Sequence, residues 1–159
     1  MKILEIKFEK SKTGDMDEIL SLINKTNREW YSRIIPEEHW FEPFLTREQL
    51  KEMATFMEFF VHRNKGVIVA VGSFSTRSKE IAWIPLMYVR SDCQKKGIGS
   101  SLMMYLEELA REQHFKKKQL ETDSEAKWAL DFYNKHGYSI IKREKNPWGF
   151  HVWMEKQIL

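Results

Sequence analysis

Six residues near the middle of the chain, Gln94-Lys95-Lys96-Gly97-Ile98-Gly99, put two glycines and two cations where one periodicity gives way to another. Before them an apolar run ends at Val89. After them Leu102, Met103, Leu106, Leu109 and Ala110 fall on one helical stripe. Glycines there permit torsions and close approaches that a Cβ forbids. A helix start leaves N–H groups without intrahelical partners, and the helix dipole adds partial positive charge at the same place. Lys95 and Lys96 strengthen that field. The chemistry on offer is anion binding, and a run of successive amides suits a diphosphate better than a single anion. Two familiar nucleotide loops do not match. G-x-x-x-x-G-K-[ST] is absent, and G-x-G-x-x-G fails because Ser100, Ser101 and Leu102 follow Gly99.

The elements that must hold this turn follow from the pattern. Met1–Phe8 alternates and reads as a first strand. Asp15, with Glu18 three residues on, has the spacing of a capping box and opens a helix towards Trp30. Pro36 and Pro43 make the next stretch a loop, crowded with aromatic side chains, and Thr46 with Gln49 caps a short helix through Met53. From Phe56 the runs MEFFVH, VIVAVGSF and EIAWIPLMYV, separated by RNKG and STRSK, predict an antiparallel meander. Pro85 cannot donate to a ladder, so the third run lies at an edge or carries a bulge. KKKQLETD is a further strand, and Glu125–His136 is a helix stopped by Gly137. YSIIKR and GFHVWMEK form a closing hairpin over Asn146-Pro147-Trp148-Gly149. The expected fold class is mixed α/β (α+β): a single domain over residues 1–159, with one mainly antiparallel sheet, a bulged strand and flanking helices.

Bulk properties bound the function. At 159 residues the chain is long enough to bury a core. A net charge of +3 allows acidic ligands but is too mild to mark a nucleic-acid binder. Cys93 is the only cysteine, so an internal disulfide and a thiolate zinc site are excluded, and no metal is expected. No apolar run approaches the ~20 residues of a membrane span, and the N-terminus lacks a cleavable signal pattern. A soluble, cytoplasmic protein is expected.

The turn has the form Q-x-x-G-x-G, placed after a strand and before an amphipathic helix. Downstream, Ala129-Leu130-Asp131-Phe132-Tyr133-Asn134-Lys135-His136-Gly137-Tyr138 matches A-x-x-F-Y-x-x-x-G-[FY]. With these two motifs in this order of elements, essentially the whole chain resembles the GCN5-related N-acetyltransferases. The resemblance implies acetyl-coenzyme A as cosubstrate. Its diphosphate would lie on the amides of Gln94, Lys95, Lys96, Gly97, Ile98, Gly99 and Ser100. Its pantetheine arm would run along Met87, Tyr88 and Val89 as an added strand, and Pro85 is well placed to splay that strand open. Tyr133 takes the place of the general acid that protonates the departing thiolate; by its spacing alone it also reads as an ordinary core tyrosine. Ala126 stands seven positions before it, where many members carry asparagine. Cys93 replaces a common aromatic and reads as a packing residue.

A general base must take the proton of the attacking amine. Glu80, at the start of the bulged strand, is one candidate, and Glu37, Glu38 and His39 in the aromatic loop are others. Each also reads as a solvated surface group. The acceptor, a small-molecule or peptide amine, is expected between the first helix, the loop carrying Trp30, Tyr31, Trp40, Phe41 and Phe44, and the hairpin carrying Trp148, Phe150 and Trp153. The same aromatics would equally serve to close the core or to bury a homodimer interface. Two other classes stay open: a non-catalytic acyl-coenzyme A sensor, and a nucleic-acid module built on KKKQ and the lysine-bearing turn. An intact Tyr133 speaks against the first, and the interspersed Glu107, Glu108, Glu112 and Glu121 speak against the second.

Overall fold

The computed structural model describes residues 5–159. Eight strands and four helices follow in the order β1 (Glu9–Lys10), α1 (Met16–Trp30), α2 (Arg47–Met53), β2 (Glu58–Asn64), β3 (Val67–Thr76), β4 (Ile81–Trp83), β5 (Met87–Val89), α3 (Ile98–Glu112), β6 (Lys117–Asp123), α4 (Lys127–Lys135), β7 (Ser139–Asn146) and β8 (Gly149–Gln157). They form one sheet ordered β1-β2-β3-β4-β6-β8-β7, with β5 also paired to β3. All pairs are antiparallel except β4 with β6. The mixed, mainly antiparallel sheet expected from the sequence is therefore present.

Helices α1 and α2 cover one face, burying Ile19, Ile23 and Leu50 against Phe59, Val61 and Val71. Helix α3 covers the other, burying Leu102, Leu106 and Ala110 against Phe60, Phe74 and Ala82. Helix α4 lies on that second face, beside Met103, Leu120 and Tyr138. Among the described residues no helix is long and apolar enough to cross a membrane.

Two expectations near the N-terminus need correction. The paired strand is Glu9–Lys10, against Val61 and Phe60, rather than Met1–Phe8. Residues 5–8 make no ladder; Ile6 and Phe8 pack as side chains on the α3 side of the sheet, and residues 1–4 lie outside the described residues. The Asp15–Glu18 capping box does not form. Asp15 accepts instead from the Lys12 N–H and from Arg63, which holds its carboxyl below the usual range, while Glu18 accepts from the Ile68 N–H. Both carboxylates serve long-range partners that spacing along the chain cannot reveal. The Thr46–Gln49 box does form, at 2.8 and 3.1 Å.

The third strand of the meander is divided. Ser75 pairs with Trp83, but Gly72 pairs with Met87, so three steps along β3 are matched by four on its partner. The extra residue is a bulge around Ile84-Pro85-Leu86, where Ser73 serves the Leu86 backbone twice: its N–H donates to Leu86 O at 2.8 Å and its Oγ accepts from Leu86 N at 2.9 Å. Beyond the bulge β5 stays with β3, whereas β6 has only β8 beside it from Leu120 onwards. A gap opens between β5 and β6.

Helix α4 ends in a Schellman motif. The Tyr138 N–H reaches Tyr133 O at 3.0 Å, the Gly137 N–H reaches Asn134 O at 3.0 Å, and the Tyr133 and Tyr138 rings meet at 6.2 Å. Gly137 supplies the left-handed residue, at φ 92°. Gly137→Ala should therefore lower unfolding free energy by about 1–2 kcal/mol in a urea titration, the cost of a Cβ in that region. Gly137→Asn should cost less.

Candidate active site

Position in the ladder decides which backbone groups face the gap. Ser73–Leu86 is a hydrogen-bonded position, and Arg90 N–H bonds Val69 O at 2.8 Å. In an antiparallel pair such positions alternate, so Tyr88 turns its N–H and C=O to β3, while Met87 and Val89 turn theirs to the gap. Of the three residues expected to lend backbone groups, two are aimed that way. The Tyr88 phenol points to the opposite face, where Asn27 Nδ2 donates to it at 2.7 Å.

The end of the gap meets the turn. After a 3-10 segment at Ser91–Cys93 the chain passes through Lys95 at φ 61° and Gly97 at φ 84°, and α3 starts at Ile98. The first intrahelical bond is Ser101 N–H to Gly97 O, at 3.0 Å. Among the described residues the N–H groups of Lys95, Lys96, Gly97, Ile98, Gly99 and Ser100 have no acceptor, and no side chain caps the helix. Lys95, Lys96 and Gly97 are exposed. Gln94 is turned inward: its Nε2 donates to Val89 O at 3.0 Å and ties the turn to the end of β5. Cys93 is buried with Val69, Ala70 and Ile98, as a packing residue should be.

Tyr133 lies where α4 crosses the gap. It is half-buried and packs beside Met103 and Leu120, against which Met87 of β5 also packs. Its hydroxyl makes no hydrogen bond with the described residues. Burial pushes its phenol well above the ordinary 10, with Tyr31 adding to the rise. The Tyr88 phenol is raised for the same reasons, chiefly burial and then Tyr31 and Tyr133. Tyr31 and Tyr133 thus lie near enough to the Tyr88 phenol on the α1 side to help keep it protonated. Ala126, fully buried at the N-cap of α4, brings no polar side chain there.

The aromatic residues form two groups rather than one cage. Trp30 and Tyr31 meet Trp128 of α4 at 5.3 and 5.5 Å, closing across the gap, and Trp30 Nε1 donates to Ser91 Oγ at 3.1 Å. Trp148 joins the loop to the hairpin: its ring is 5.6 Å from His39, and its Nε1 donates to Asp123 at 3.2 Å. Trp153 packs on His151 and under Lys142, while Phe41, Phe44 and Phe150 are exposed and Trp40 is half-buried.

Glu80 is not brought to this end. It precedes β4 in an exposed turn, its carboxylate 3.0 Å from Lys116 Nζ and its carbonyl bonded to the Lys116 and Lys117 N–H groups. Glu37, Glu38 and His39 form an exposed 3-10 turn at the rim. The carboxylates on the open face of β6 were not singled out from the sequence. Asp123 accepts from Asn146 and Trp148 and stands beside Tyr31; Glu121 is 2.7 Å from His151. Their signal was the alternation of Gln119, Glu121 and Asp123, which places all three on one face.

Comparison with curated proteins finds no match. Solved structures give close matches of fold. The PaiA N-acetyltransferase of Thermoplasma acidophilum in complex with coenzyme A superposes with a TM-score of 0.81 at 17% identity, over 97% of this chain and 99% of that one. A GCN5-related N-acetyltransferase of Rhodopseudomonas palustris gives 0.81 at 17%, over 99% and 98%. A GNAT family acetyltransferase of Elizabethkingia anophelis with acetyl-CoA bound gives 0.74 at 17%, over 96% and 97%. The sequence profile of the acetyltransferase (GNAT) family matches residues 18–138, which span both motifs and run from within α1 past the end of α4. By that match the chain belongs to the acetyltransferase (GNAT) family.

Proposed function

We propose that the protein transfers the acetyl group of acetyl-coenzyme A to a primary amine by direct attack. The observation that carries this reading is the unbroken run of unpaired N–H groups from Lys95 to Ser100, opening onto a gap edged by Met87 and Val89 that leads to Tyr133. Those residues fit the cosubstrate: amides and a helix dipole for a diphosphate, and a strand edge for the amides of a pantetheine arm, with the Met87 groups and the Val89 N–H aimed at it and the Val89 carbonyl shared with Gln94. Acetyl-coenzyme A supplies the thioester, whose C–S bond breaks as the new C–N bond forms.

The protein's own groups handle the protons. Tyr133, kept protonated by burial, donates to the sulfur and regains its proton from solvent. The proton lost by the amine passes, directly or through water, to the open face of β6, where Asp123 stands beside Tyr31. Trp30, Tyr31 and Trp128 shield this end from water.

The test is a melting curve and a thiol-release assay on one sample. Acetyl-coenzyme A should raise the melting temperature, as a ligand selective for the native state does, and thiol should appear with at least one amine of a panel of small amines, polyamines and peptides. No shift at millimolar cosubstrate overturns the reading. A shift without thiol release from any amine favours an acyl-coenzyme A sensor, and tight, salt-dependent oligonucleotide binding favours the nucleic-acid module.

A further inference from the structure

One side chain at the α3 N-terminus has no role in the reading above. His136, immediately after α4, places Nε2 3.0 Å from Ser100 Oγ. Its ring lies 4.6 Å from that of Phe132, which itself packs at the Gly99 backbone. The contact joins the end of α4 to the first turn of α3, at a residue whose own N–H is among the unpaired run.

We infer that His136 is a positioning residue for the cosubstrate, orienting the Ser100 hydroxyl so that its O–H donates to an anion bound at the α3 N-terminus. The inference rests on the coenzyme A reading. A serine hydroxyl has one proton to give and two lone pairs to offer. If His136 accepts from Ser100, that proton is used up and lone pairs face the anion, which is repulsive. If His136 donates, the serine O–H is free to turn outward, adding a side-chain donor to the backbone amides. A neutral imidazole can adopt either tautomer, whereas the imidazolium always donates. Anion binding therefore selects the donating form, and acid favours it.

The surroundings set where this happens. Glu107 of α3, Lys135 at the end of α4, Lys118 of β6 and Lys156 of β8 act on the ring. Burial is the largest influence and lowers its proton affinity below the ordinary 6.5; the three lysines act in the same direction and Glu107 opposes them. The free protein thus holds His136 neutral at pH 7. A bound anion raises its proton affinity, so binding near pH 6 should take up a proton.

Dephospho-coenzyme A is the probe, because its diphosphate does not titrate between pH 5.5 and 8. In calorimetric titrations the unmutated protein should bind it about tenfold more tightly at pH 5.5 than at pH 8, with proton uptake revealed by buffers of different ionisation enthalpy. His136→Gln, which keeps a donor near the same point but cannot titrate, should bind with no pH dependence and no proton uptake. At pH 6 it should cost less than about twofold, whereas His136→Ala, which leaves the hydroxyl unoriented, should cost about tenfold in the native background and less than about twofold on top of Ser100→Ala, since residues acting through one contact are not additive. Ser100→Ala leaves the end of α4 untouched and should weaken binding about tenfold at pH 6.

A pH profile that survives His136→Gln, or additive losses, would overturn the inference. So would native affinity in Ser100→Ala, even if the histidine variant does not fold. Each of these leaves the coenzyme A reading standing. Absence of binding by the unmutated protein at any pH overturns that reading as well.

Discussion

Tyr133→Phe should lower acetyl transfer by about 10²–10⁴-fold, the usual worth of a positioned proton donor. The ring stays, with its contacts to Phe132 and Tyr138 at the end of α4, so the Schellman terminus and the packing beside Met103 and Leu120 are kept. The hydroxyl bonds no described residue, so the melting temperature and the affinity for acetyl-coenzyme A should barely move. The loss should fall on kcat and on kcat/KM alike, as when an interaction made only in the transition state is removed. Burial adds a statement about pH. With the phenol held above the ordinary 10, Tyr133 remains a donor throughout the range in which the acceptor amine loses its proton. The native rate should therefore climb into the alkaline region without the fall that a phenol titrating near 10 would impose. Full activity in the phenylalanine variant would show that water protonates the thiolate.

Lys118→Met should stabilise the protein, by about 1–4 kcal/mol at pH 7. Lys118 is fully buried, and among the described residues its Nζ meets Met103 O at 3.4 Å, Met103 Sδ at 3.0 Å and the face of Tyr138 at 5.7 Å. None of these is a good partner for an ammonium. Burial depresses its pKa to about 7, with Glu107 pulling the other way. The sign follows from proton counting. Between about pH 7 and the ordinary 10.5 the unfolded chain binds a proton that the folded protein largely does not, so this residue makes stability rise with pH across that window. Its penalty is therefore largest at and below pH 7 and fades towards 10.5. Denaturant titrations of both proteins at pH 6, 8 and 10 should show the variant ahead at pH 6 and the difference shrinking as pH rises. Glu107 is not orphaned by the change, because Lys156 stays 3.0 Å away. Parallel pH curves would mean that Lys118 is charged when folded.

That lysine also marks where reading the sequence stops. In the run Lys116-Lys117-Lys118 all three look solvated, and Lys116, just before β6, is exposed with Lys117 half-buried beside it, yet strand alternation turns Lys118 to the other face, where it is buried beneath α3. The glycine-bearing turn before α3, α3 itself, the aromatic motif on α4 and the two-residue turn at Pro147-Trp148 were legible as structure, because each is written in consecutive residues whose local preference agrees with the fold. Asp15 and Glu18 misled because their carboxylates serve Arg63 and Ile68, about fifty residues away. The divided third strand was half legible: Pro85 announced an interruption, but only Ser73 and the one-residue shift against β3 show its form. The aromatic end of the gap was least legible, since Tyr31, Asp123, Trp128 and Trp148 come from separate parts of the chain.

Among the described residues three ladder pairs, Ile81–Lys117, Ala82–Lys118 and Trp83–Gln119, join the two parts of the sheet side by side, with flanking backbone bonds at Glu80 and Ile84. In terms of folding cooperativity this is a narrow bridge between two units. One is built on β2 and β3 with α1, and the other is the β6-β8-β7 ladder. Amides on the two sides can then open and exchange with solvent at different free energies. A ligand seated between β5 and β6 touches both units at once. Its arrival should therefore raise protection on both sides together and merge two opening events into one, so that exchange far from the gap reports its occupancy.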